Sequence, residues 1–356
     1  MKKKIFAVLI SAILALSFVG CIEGGGGGGE SPLAEIYASV PEMTTIAPSS
    51  FDVSGESGSE FTIGISMVTM SADFFRIIAD YAEAQLREYG VEVLVQGAES
   101  DVAQQVSQIE DFLAQGVDLL IVNSASPPSA LNLVLERAFE EGVPVIAMDS
   151  HLDPEAPFLT YIGASNWELG VQVGQHVATY LIDKYGTVRG NLAVIAGDPG
   201  NIAGQQRGDG FMYGIASVQE DHELVQVARQ YGYWSEEDGM EAVENILVAH
   251  PYIDVIFTYS DNMAVGGFTA AQRAGRDEMI FAGINGSTPA MRVMLEHDGF
   301  IYALGQNDPI IIGTLTAQLA MLYLETGYVP SRTILTQAVV ISPANVNAHF
   351  DPDRSF

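Results

Sequence analysis

From residue 61 onward the chain alternates short apolar runs with stretches in which apolar residues recur at helical spacing. The runs FTIGISMV (61–68), VEVLVQ (91–96), VDLLIVN (117–123), VPVIAMD (143–149) and FLTYIGA (158–164) predict strands. A second series, GNLAVIAG (190–197), ELVQVARQ (223–230), IDVIFTY (253–259), EMIFAGI (278–284) and FIYALGQ (300–306), predicts as many again. The helical period predicts helices over 72–89, 102–115, 128–141, 166–185, 203–218, 237–249, 262–274, 288–297 and 309–326. Most runs are apolar along their whole length, as strands covered on both faces must be. This repeated βα pattern implies doubly wound, mostly parallel sheets. Ten or more strands are too many for one compact sheet in 356 residues. The fold class is therefore α/β, with two Rossmann-like lobes.

Ligands of open α/β sheets collect outside the carboxyl ends of the strands. In chain order those ends carry Phe74 and Phe75, Asn123, Asp149, the loop GDPGNIAGQQR ending at Arg207, Trp234, Ser260 with Asp261, Asn285 and Gln306. Phe74 and Phe75 stand where a strand turns into a helix. Neighbours on a helix point about 100° apart, so one buried face does not easily take both rings. Individually these residues have plain structural readings. Asn closes strands by bonding its own backbone, and Asp261 is placed to cap the helix that follows. Asp73 either caps the helix that bears the two phenylalanines or offers a ligand an acceptor, and the cap is the favoured reading. Together, aromatic platforms ringed by amides, a carboxylate and a guanidinium suit a small polyhydroxylated molecule. Its C–H faces stack on rings, and its hydroxyls need both donors and acceptors.

Charge and composition remove competing classes. Acidic residues number 45 against 15 basic, a net charge of −30. That argues against nucleic acid and against anionic membrane surfaces as partners. No G-x-G-x-x-G follows the first strand and no Walker A motif occurs, so no nucleotide cofactor is expected. The six histidines are scattered without metal spacing, and G-x-S-x-G is absent, so neither a metal site nor an enzyme is expected. Residues 1–20 read as a signal peptide: Lys2, Lys3 and Lys4 precede an apolar run of 16 that is short for a spanning helix. Next comes Cys21, the only cysteine. The stretch LSFVGC resembles a bacterial lipobox, which implies cleavage before Cys21 and diacylation of its thiol. Residues 22–59, with GGGGGG and no Lys or Arg, read as a flexible acidic tether, so the functional body is expected to begin near Glu60.

Six ordered stretches carry a resemblance to a known family. They are ADFF after the first strand, PVIAMDS at the fourth, QQRGDGF (205–211), AHPYIDVIFTYSDNMAVGG (249–267), FAGINGSTPAM (281–291) and LGQNDPIIIG (304–313). Over about 280 residues the body resembles the periplasmic sugar-binding proteins of the ribose-binding type. The resemblance implies two lobes, 60–164 with 307–335 and 165–306 with 336–356, joined by crossings near 163–166, 305–308 and 334–338. It implies that Phe74, Phe75 and Trp234 pack on a sugar ring, that Asp149 accepts from hydroxyls, that Arg207 donates, and that Gln306 reaches the ligand from the hinge. Departures accompany the match: Ser150 stands where the ribose binder has arginine, Ser260 where it has asparagine, and Asn285 where it has aspartate. The resemblance further implies a monomer, lipid-anchored outside the cytoplasm at Cys21, that hands its sugar or polyol to an ABC permease. The alternative is a receptor that reports a sugar or furanosyl autoinducer to a membrane sensor.

Overall fold

The computed structural model describes residues 50–56 and 60–356, together with Leu33 and Val40. The signal peptide, Cys21 and most of the expected tether lie outside the described residues. The first series of strands is β1 (Thr62–Met67), β2 (Glu92–Gly97), β3 (Leu119–Val122), β4 (Val145–Met148) and β5 (Thr160–Gly163). The second is β6 (Arg189–Ala196), β7 (Glu223–Tyr231), β8 (Val255–Thr258), β9 (Ile280–Asn285) and β10 (Ile301–Gln306). The helices between and after them are α1 (Asp73–Glu88), α2 (Val102–Gln115), α3 (Asn132–Glu141), α4 (Asn166–Tyr185), α5 (Ile202–Val218), α6 (Glu236–Ala249), α7 (Asp261–Ala274), α8 (Thr288–Glu296) and α9 (Pro309–Thr326). Two short strands, β11 (Thr333–Leu335) and β12 (Val340–Ile341), precede a last turn of helix, α10 (Val346–His349).

Local chemistry sets these limits. Asp101 accepts from Ala103 N and Gln104 N to start α2, and Gly116, at φ 77°, ends it in the left-handed conformation that glycine adopts without steric cost. Asp308 accepts from Ile310 N and Ile311 N ahead of Pro309, a residue suited to the first helical position of α9. The helix expected over 128–141 is broken: Pro128–Leu131 forms a 3₁₀ turn, and the α-helix begins only at Asn132. β11 and β12 have too few residues for periodicity to mark them.

The strands form two six-stranded sheets, ordered β11-β5-β4-β3-β1-β2 and β12-β10-β9-β8-β6-β7. Every pairing is parallel except that of β12 with β10. Central strands β3, β4 and β5 are buried at every position, whereas the edge strand β7 alternates with exposed residues. Among the described residues the chain passes between the sheets three times: from β5 to α4, from β10 to α9 and from β11 to β12. Helix α9 is long and apolar enough to cross a membrane, but it packs along α1, with Ile312, Leu315 and Leu319 in the core of the first lobe.

One expectation needs correction. The body does not begin near Glu60. Phe51 N donates to Gln318 Oε1 at 3.0 Å, Ser54 N and Gly55 N donate to the Glu325 carboxylate, and Phe51 and Val53 pack on the core of the first lobe. Leu33 and Val40 are buried in that core too. Composition marked the whole segment as a tether, but its backbone donors find acceptors on α9 and its apolar side chains join the core of the first lobe.

Candidate functional site

The second lobe holds its charged group firmly. Arg207 lies on α5, which meets α4 backbone to backbone: a Cβ on Gly170 would come within 2.4 Å of the Arg207 carbonyl oxygen. That approach brings Asn166, the first residue of α4, to Arg207, whose Nε donates to Asn166 Oδ1 at 2.8 Å. Its Nη1 donates to Tyr259 O at 2.7 Å and to Asn285 Oδ1 at 3.4 Å. Burial lowers the Arg207 pKa to about 10, while Asp149, Asp261 and Tyr161 pull it back up, so the group stays charged at neutral pH.

Trp234 lies over this guanidinium, with its ring centroid 5.6 Å from the Arg207 Cζ. Its Nε1 donates to Asp198 Oδ2 at 2.9 Å. The ring rests on the backbone of the loop after β6, where a Cβ at Gly197 would approach it to 2.1 Å. Tyr233 and Trp234 have φ of 45° and 62°, Asp149 has 60° and Asn285 has 138°. Bulky residues rarely take such values, and backbone strain of this kind collects at functional sites.

Asp261 does not cap α7. Ser260 is the capping residue, without a side-chain hydrogen bond, and Asp261 is the first helical residue. Its Oδ2 instead accepts from Ser287 N at 2.6 Å, tying the ends of β8 and β9 together. Asp261 Oδ1 and Ser260 Oγ are buried with no hydrogen-bond partner. Burial raises the Asp261 pKa, opposed by the Ser287 hydrogen bonds and by Arg207.

On the first lobe Phe74 and Phe75 are half-buried and meet edge to face, their centroids 5.6 Å apart. Asp73 does not cap α1 either. The capping position falls on Ala72, and the Asp73 carboxylate, 78% exposed, pairs with Arg76 at 2.8 Å. Asp149 follows β4, its carbonyl oxygen accepting from Tyr161 Oη at 2.8 Å. Its side chain keeps some surface open but lies deep among protein atoms, and burial raises its pKa to about 6. The Arg207 charge and the Asn123 amide oppose that rise, so Arg207, from the other lobe, is close enough to act on Asp149. Asn123 is fully buried below this loop. Its Nδ2 donates to Met148 O at 2.9 Å and to Ser150 Oγ at 3.0 Å. Asn123 and Ser150 therefore brace the Asp149 loop. Gln306, at the second crossing, donates from Nε2 to Asp308 Oδ2 at 3.2 Å.

The fold thus gathers Arg207, Trp234, Asn285, Asp261 and Asp149, and it turns Asp73 outward. Sequence reasoning missed Asn166, Tyr259 and Asp198, which orient Arg207 and Trp234. They carry no signal, because each acts through a partner distant in the chain. No cluster of metal-ligating side chains occurs among the described residues. Two surface hollows, of about 140 Å³ beside Tyr231 and Tyr233 and about 130 Å³ beside Gln226 and Arg229, include none of the candidate residues.

Two doubly wound sheets joined by three crossings, with polar and aromatic residues at the strand ends of both, define a two-lobed binding protein. The chain matches the family described as periplasmic binding protein domain over residues 63–327, and it belongs to that family. It is 31% identical to the ribose import binding protein of Bacillus subtilis over 261 residues, 73% of this chain and 81% of that protein. An ABC transporter solute binding protein from Bacillus halodurans, solved with bound myo-inositol, is similar at a TM-score of 0.72 and 25% identity, over 83% of this chain and 99% of that one. The fructose-binding periplasmic domain of a hybrid two-component system is similar at a TM-score of 0.69 and 27% identity, over 81% and 93% of the two chains. Family membership makes the protein a solute-binding protein, not an enzyme.

Proposed function

We propose that the protein is the sugar- or polyol-capturing component of an ABC transporter, exported and lipid-anchored at Cys21. The observation that carries this reading is the buried Arg207 guanidinium, fixed on the second lobe by Asn166 and Tyr259 under the Trp234 ring and electrostatically coupled to Asp149 of the first lobe. A neutral polyol offers hydroxyl donors to Asp149 and Asp261, hydroxyl acceptors to Arg207, and C–H faces to the rings. Asn285, Ser260 and Gln306 complete the polar rim on the second lobe and the hinge. Ligand contacts drawn from both lobes favour the closed arrangement, and closure presents the surface that a permease recognises. Ser150, Ser260 and Asn285 depart from the ribose pattern, so a sugar other than D-ribose fits the site better. A second reading, a receptor for a membrane sensor, is favoured by the similarity to the hybrid two-component domain.

A thermal-shift screen of the full chain against pentoses, hexoses and inositols tests the binding reading. A sugar held at 100 times its Kd adds about 2.7 kcal/mol of apparent stability. No shift with any neutral sugar or polyol overturns it. Capture from membranes with the sugar-loaded chain then separates the two readings: a permease supports transport, a kinase supports sensing.

A further inference from the structure

The segment after α10, Asp351–Phe356, leaves the second lobe and reaches the first. Its base is fixed at α8, where Thr288 Oγ1 donates to the backbone oxygens of Phe356 at 2.8 Å and of Asp351 at 3.5 Å. Its side chains point the other way. Phe356 is 7% exposed, and its ring meets Phe74 edge to face at 5.7 Å. Arg354 pairs with Asp308, the buried residue that caps α9, through the same Oδ2 that accepts from Gln306. Since α1 and α9 pack together on the first lobe, one hexapeptide is tied to both lobes beside the candidate site.

We propose that Asp351–Phe356 is a working part of the cleft, in which Phe356 and Arg354 are positioning residues that favour lobe closure. This rests on the binding reading above for its consequence, but not for its geometry. Phe356 sets the ring of Phe74, one of the walls on which a sugar would stack. Arg354 shares the Asp308 carboxylate with Gln306 and thereby sets the direction of that amide. Any opening that draws the start of α1 away from the start of α8 must break the Phe356–Phe74 contact or the Thr288–Phe356 hydrogen bond. The segment is therefore a clasp as well as a wall.

Small-angle X-ray scattering of the full chain without sugar tests the clasp. Phe356→Ala and Arg354→Gln are expected to have a larger radius of gyration than wild type, with native circular dichroism. Phe356→Tyr should restore the compact form, and Ser355→Ala, at an exposed position of the same segment, should superpose on wild type. Scattering curves that coincide for all five proteins overturn the proposal. Calorimetry with D-ribose, D-allose and myo-inositol then reads the effect on binding. For whichever probe binds wild type, Phe356→Ala and Arg354→Gln should each raise Kd about three- to tenfold. An unchanged Kd in both overturns the positioning role. If no sugar or polyol in the thermal-shift screen binds wild type, the sugar reading fails while scattering still decides the clasp.

Discussion

The two lobes repeat one strand order, yet their strand ends differ in chemical state. At the ends of the first sheet most buried polar groups are committed to one another, with Gln108 Oε1, beside the end of β2, left unpartnered. Gln105 Nε2 donates to Ser66 Oγ at 3.1 Å and to Asn123 O at 2.9 Å, and Gln105 Oε1 accepts from Ala125 N at 2.7 Å. Asn123 in turn holds the loop of Asp149. At the ends of the second sheet Ser260 Oγ, Asp261 Oδ1 and, at the crossing beyond β10, Asn307 Oδ1 are buried without partners. A buried polar atom left unpaired costs about 1–3 kcal/mol, so a group of them at one rim needs a compensating partner. On the proposed reading the first lobe supplies a braced wall bearing the Asp149 carboxylate, and the second offers the open polar atoms that a ligand's hydroxyls would meet.

The largest effect should come from the second lobe. Arg207→Ala is expected to weaken binding of the sugar found by the screen at least tenfold, because hydrogen bonds to a charged group contribute about 1.5–3 kcal/mol. Unchanged calorimetric affinity would move recognition to the first lobe and break the contrast.

Asp149 comes next, through pH. Its folded pKa is raised by burial from 3.8 to about 6, so the folded state holds this proton more tightly than the unfolded chain. The stabilisation is fully present below pH 3.8 and is lost as pH rises through about 6. In the ligand-free protein this loss is about 3 kcal/mol, and Asp149→Asn should remove that part of the pH dependence of the denaturant midpoint. Affinity runs the opposite way. The ionised carboxylate is the better acceptor, so sugar binding should weaken below about pH 6 in wild type and show no such step in Asp149→Asn.

The rings should matter less. Trp234→Ala and Phe74→Ala remove stacking of about 0.5–1.5 kcal/mol each, a two- to tenfold loss of affinity by calorimetry. Equal losses would show that both lobes contribute aromatic walls. The smallest effect is expected for Asp73→Ala, because the carboxylate is 78% exposed and faces Arg76. Melting and affinity should stay within about 0.5 kcal/mol of wild type, and a larger loss of affinity would return Asp73 to the site.

Much of the architecture was legible because its causes are local. Strand β4 reads as VIAM between a proline and an aspartate, and α2 runs from an Asp cap to a left-handed glycine, so neighbouring residues state the limits. The gathering of candidate residues at one edge was legible as well, since βα connections place every strand's carboxyl end on the same side of a parallel sheet. Side-chain direction was not. Asn123 turns inward because Met148 and Ser150 await it, and Asp261 abandons the cap because Ser287 N lies closer to hand. The docking of residues 50–56 on α9 was equally hidden, because its acceptors, Gln318 and Glu325, are remote in the chain.

By itself, then, the sequence determined the order of the elements, the α/β class and the rim on which a ligand's partners would lie, all of which follow from periodicity and connectivity. Tertiary structure alone decided which polar atoms on that rim are committed and which remain open, and it alone brought Phe356 to Phe74 and Arg354 to Asp308. Those outcomes depend on hydrogen-bond partners and packing surfaces that meet only when distant segments are folded together, and no local pattern encodes them.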